Sequence, residues 1–139
     1  MTLFISQLEA ERKSVLVMGI SDLGVSFICW VFSAIYIACG HGQTSVGMVC
    51  LLVPFFVSGM TALILSFSKA YRAVTLGVRC LWNLSMASFT VGMALVGVFE
   101  IAGVPNSILL IPIWLGGTLA ALCAIVIFAF NIIKNKEKI

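Results

Sequence analysis

The sequence predicts an all-α integral membrane protein: an antiparallel bundle of four transmembrane helices with both termini cytoplasmic. Three observations carry this expectation. Of 139 residues, 62% are hydrophobic and only 9% are charged, and mean hydropathy is +1.20, which leaves too little polar surface to wrap a water-soluble globule. Charges are absent from Leu23 to Ser68, from Cys80 to Phe99 and from Ile101 to Ile133, tracts that reach or exceed the ~20 residues a helix needs to cross hydrocarbon. All eight lysines and arginines fall in segments that an even number of spans places on one side, and cytoplasmic loops carry such an excess. Helices are required because backbone in lipid must satisfy its own hydrogen bonds, and the strict alternation of a barrel strand is missing.

Residues 1–139 form one four-span domain. The first span is expected over Val15–Cys39; the segment before it, MTLFISQLEAERK, carries Glu9 and Glu11 and no small-residue cleavage pattern, so the apolar stretch is retained as a span. CGHGQTS turns the chain into a second span, Val46–Phe67, where Pro54 is the candidate for a kink. A basic segment with Lys69, Arg72 and Arg79 leads to the third span, Leu81–Phe99. IAGVPNS, broken by Gly103 and Pro105, leads to the fourth, Ile108–Asn131; Pro112 lies early in that span, where proline is tolerated. The charged LEAERK and KNKEK segments read as solvated ends that fix topology. Trp82 and Tyr71 near the inner boundary, and Tyr36 near the outer one, fit an aromatic belt.

Helices in lipid associate through close backbone approach, which small residues four apart permit. Gly116, Ala120 and Ala124 form such a stripe in span four, with Gly117 and Ala121 beside it; span two offers Ser58, Ala62 and Ser66, span three Ser88 and Gly92, and span one Ala34 and Ala38. Packing within the bundle is preferred over self-association for these stripes.

Asp22 is the most informative polar residue, an ionisable group about 10 Å into a span that must be paired, protonated or facing water. Arg79 and Asn83, at a comparable depth at the start of span three, are its expected partners, followed by Ser85. A buried interhelical pair is preferred over a proton or cation acceptor, since a lone carboxylate is not a transport motif. Glu100 ends span three on the outer side, within reach of His41 in the outer turn. Cys29, Cys50 and Cys123 fall inside apolar tracts and read as thiols serving as small hydrophobes; free thiols are also preferred over a Cys39–Cys50 disulfide. Cys80, between Arg79 and Trp82, is placed as juxtamembrane palmitoylated cysteines are, although an unmodified interfacial thiol is the plainer reading.

No metal or cofactor site is expected, because a single histidine and no CxxC pair cannot assemble one. HExxH, GxSxG and GxxxxGK[ST] are missing and no nucleophile has a histidine to support it, so an enzyme is the least favoured class. The net charge of +3 without interleaved basic and aromatic residues argues against nucleic acid.

The segment SGMTALILSFSKAYRAVTLGVRCLWNLSMAS, Ser58 to Ser88, resembles the membrane-spanning four-domains family, subfamily A, the CD-antigen type of tetraspan. The likeness lies in a Ser-Gly second span rich in small residues, a short basic turn, and an Asn-Leu-Ser opening to the third span. Lys13, Gly19, Ile20 and Asp22 resemble that family's first span more distantly, with an acid where an amide is usual, and IAGVPNS departs from members whose outer loop is closed by a disulfide. The resemblance implies an oligomeric surface or vesicle protein that modulates receptors or cation flux, and brings no catalytic residues.

Two functions remain in view. The preferred one is a non-enzymatic accessory, scaffold or assembly subunit that packs in the bilayer with itself or another membrane protein. The alternative is a small transporter or channel subunit with Asp22 in a proton or cation pathway.

Overall fold

The computed structural model describes the backbone of residues 2–39, 45–103 and 110–136, and the side chains of 6–39, 45–103 and 110–134. Its helices are α1 (Thr2–Cys39), α2 (Val46–Val49), α3 (Val53–Phe67), α4 (Leu76–Ala102) and α5 (Ile111–Lys136), with 3-10 turns at Cys50–Leu52 and Lys69–Ala73. Four stretches are long and apolar enough to cross a membrane: Ser6–Cys39, Val46–Phe67, Leu76–Ala102 and Ile111–Lys134. These mark a multi-pass membrane protein.

α1 begins far ahead of Val15 because Leu8 to Lys13 are strong helix formers with no breaker among them. Its 38 residues make a rod of about 57 Å, well beyond the ~30 Å hydrocarbon core, so its polar first turns project past the bundle. α4 likewise starts at Leu76 rather than Leu81, and Gly103 closes it at φ 68°, donating its N–H to the carbonyls of Glu100 and Phe99; a left-handed cap of this kind favours glycine. Pro112 is the second residue of α5, where its missing N–H has no helical partner to lose. His41 and Pro105 lie outside the described residues.

Span two breaks where Pro54 predicts. Proline cannot donate to the Cys50 carbonyl, so the preceding residues tighten into a 3-10 turn and the Val53 N–H reaches Cys50 instead. Two α1 hydroxyls dock beside this break: Ser33 donates to the Met48 carbonyl at 2.7 Å and Ser26 to the Leu52 carbonyl at 3.0 Å. The break thus becomes an attachment point between spans one and two.

Three of the crossings rely on glycine. At α1–α3 a Cβ on Gly59 would lie 2.9 Å from the Gly19 carbonyl oxygen, and at α2–α4 a Cβ on Gly47 would lie 2.6 Å from that of Met93. Between α4 and α5, Trp114 rests on Gly92 and Phe89 on Gly117, the two rings being 5.7 Å apart. Ser85 and Ser88 donate to the Gly117 and Ile113 carbonyls at 2.7 and 2.8 Å, pinning the same pair.

The spans therefore neighbour one another in chain order. Among the described residues no Cα of α1 comes within 8 Å of a Cα of α5. The Lys69–Ala73 turn packs against both helices, and at that end Val15, Ala62 and Val74 form a small core with Leu65, Tyr71 and Phe128.

Candidate functional site in the bundle interior

Every third or fourth residue of α1 from Val15 through Gly19, Asp22 and Ser26 is buried, and Ser33 continues that face. This spacing puts Asp22 against span two. The Ser58 hydroxyl donates to Asp22 Oδ2 at 2.5 Å and accepts the Trp82 indole N–H at 2.9 Å. One serine thereby links spans one, two and three, with Asp22 5% exposed and Ser58 fully buried.

This arrangement corrects the expected pairing. Arg79 donates through a terminal N–H to Ser14, Ser85 is engaged with α5, and neither meets Asp22. Asn83 Oδ1 and Arg79 Nε are buried without a hydrogen-bond partner. Trp82 also departs from its assignment to the aromatic belt, because its N–H points inward to Ser58. At the opposite end Glu100 meets Ser45, whose hydroxyl donates to Oε2 at 2.5 Å while capping α2.

The small-residue stripes are divided by the structure. Ser58, Ala62 and Ser66 are buried together, Ser88 and Gly92 face α5, and Ala124 is 1% exposed. Gly116 is exposed, with nothing within 4 Å of a Cβ built there, and Ala120 is half-buried. The inward stripe of α5 is Gly117 and Ala124, seven apart and continued by Leu110 just before the helix, rather than Gly116, Ala120 and Ala124. The expectation that Cys29, Cys50 and Cys123 are buried thiols is corrected: Cys123 is exposed and Cys29 and Cys50 are half-buried, and all five cysteines are free. Cys80 is exposed near the start of α4.

Beside Ser58 lies a cavity of about 310 Å³. All four spans contribute to its wall: Val15 and Met18 from α1, Ala62 and Leu65 from α3, Val78, Arg79 and Trp82 from α4, and Ala124, Ile125 and Phe128 from α5. It is apolar apart from Ser58, Thr61, Arg79 and Trp82, and Thr61 spends its hydroxyl on the Val57 carbonyl of its own helix at 2.7 Å.

The sequence reading missed Ser58 as a hydrogen-bonding centre and Gly19, Gly47, Gly59 and Gly97 as contact points. The signal for the inner face was polarity: Asp22, Ser26 and Ser33 stand four and seven residues apart on one side of α1. No family model, no characterised protein and no solved structure matches the chain.

Proposed function

We propose that this chain is a non-enzymatic tetraspan that serves as an accessory, scaffold or assembly subunit, with both termini cytoplasmic. The observation that carries this reading is where the interior polar groups go. Asp22, Ser26, Ser33, Ser58, Trp82, Ser85 and Ser88 each spend a hydrogen bond on another span. Such bonds fix helix rotation and register, whereas a conduction path needs polar groups facing a continuous wet route. The orientation rests on Arg12, Lys13, Lys69, Arg72, Arg79 and Lys134, gathered at the end of the bundle that holds the Lys69–Ala73 turn. The resemblance to the four-domains family supports an oligomeric role in the same way.

The alternative, a small transporter or channel subunit, draws on one observation: Asp22's partner Ser58 also lines the cavity. Purification of the full chain from its native membrane under mild detergent separates the two readings. A stoichiometric companion or a defined homo-oligomer is expected; a monodisperse single chain that catalyses cation or proton flux would favour the alternative.

A further inference from the structure

We infer that the cavity among the four spans is a binding site for an anionic glycerophospholipid, with an acyl chain inside and the phosphate on Arg79. The inference depends on the membrane setting and not on the accessory role. A seam runs between α1 and α5, where no Cα of one comes within 8 Å of a Cα of the other among the described residues. Met18 on one side and Ile125 and Phe128 on the other line the cavity behind that seam. In a bilayer, the material outside an apolar seam is lipid, and a volume of about 310 Å³ falls within the range of small-ligand pockets. An acyl chain entering sideways replaces void with dispersion contacts and strips no polar group of water.

Arg79 is the residue that meets the head group. This residue is the fourth of α4, at the end of the bundle that also carries Lys69 and Arg72, so it sits where lipid phosphates lie when the apolar spans are in hydrocarbon. Its side chain is one of those that line the cavity, whose wall is almost wholly apolar, so the stem faces the interior and the charged end lies at the edge beside Ser14. One terminal N–H is held by Ser14 across the gap to α1, while Nε is buried with no acceptor. The guanidinium carries further terminal N–H groups beside the one given to Ser14, and a phosphate accepts from several N–H groups at once. A zwitterionic lipid offers the same phosphate but brings its own cation to it, in competition with the arginine. Anionic lipids are therefore the preferred class.

The test uses the full chain in nanodiscs of equal phosphatidylglycerol and phosphatidylcholine, released for native mass spectrometry. Retention of a single phosphatidylglycerol is expected, and Arg79→Gln should reduce it about tenfold through loss of a charge-assisted contact. Lys134→Gln, at an exposed charge on the same end, should leave retention unchanged. In the unmutated protein, phosphatidylglycerol with a photoreactive acyl chain should label Met18, Ala62 or Phe128; this arm does not depend on any variant folding. Glycerol phosphate, which supplies the head group without chains, should fail to displace the lipid. Equal retention of both lipids, unchanged retention in Arg79→Gln, labelling confined to outward-facing Phe67, Leu76 and Phe130, or displacement by glycerol phosphate would each overturn the assignment.

Discussion

Asp22 stands at a depth where an unpartnered carboxyl is costly, and its described partner is a single serine hydroxyl. Ser58 is small enough to lie at the crossing beside Gly59 and polar enough to join Asp22 to Trp82. Ser58→Ala removes the hydroxyl with little change in volume, so it should lower stability by about 1–2 kcal/mol by leaving both the carboxyl and the indole N–H unmet. Asp22→Asn keeps an acceptor oxygen in the same place and should stay close to the parent. Asp22→Leu removes the acceptor, so chemical denaturation in detergent of Asp22→Leu, Ser58→Ala and the double variant gives the coupling; additive losses would show that the two side chains do not support one another. The position of the acid was legible in the sequence, because a charge within an apolar tract stands out. Its partner was not, since a contact between spans depends on how each helix is rotated about its axis.

That rotation is set at the scale of the helix, where membrane spans conceal it. In water a helix announces its inner face by its apolar stripe, but here lipid and core are equally apolar, and large side chains such as Phe27, Ile28 and Phe130 are the exposed ones. Small and polar residues mark the inside instead. Span four shows the consequence: Gly116 and Gly117 are adjacent in sequence, yet only Gly117 meets another helix. The break at Pro54 was readable because proline's missing donor acts locally, whereas the contact of Gly47 with Met93 and Gly97 joins distant segments. Gly47→Ala should therefore cost about 1–3 kcal/mol, because the added methyl meets backbone that cannot move aside. Gly116→Ala has open space around it and should be neutral or stabilising by up to about 1 kcal/mol through helix propensity. Thermal melting of the two variants in one detergent checks the contrast; equal losses would mean that Gly116 also lies in a contact, as it would in an oligomer.

For the whole molecule, the sequence prescribes four spans and one basic end, and the structure adds that the spans follow one another in chain order and leave a seam between the first and the last. Tags at the two termini, tested for protease protection in sealed vesicles, should behave alike, because four crossings return the chain to its starting side. Opposite protection would remove the even-span topology. The functional account rests on a different point, that the interior polar groups clamp helices together and do not carry ions. Its most direct test is proton and cation flux in proteoliposomes containing the parent chain or Asp22→Asn, with the melting temperature of each measured alongside. The account predicts no flux above empty vesicles for either protein and similar melting temperatures. Flux in the parent that disappears in a well-folded Asp22→Asn protein would contradict it and make Asp22 part of a conduction pathway.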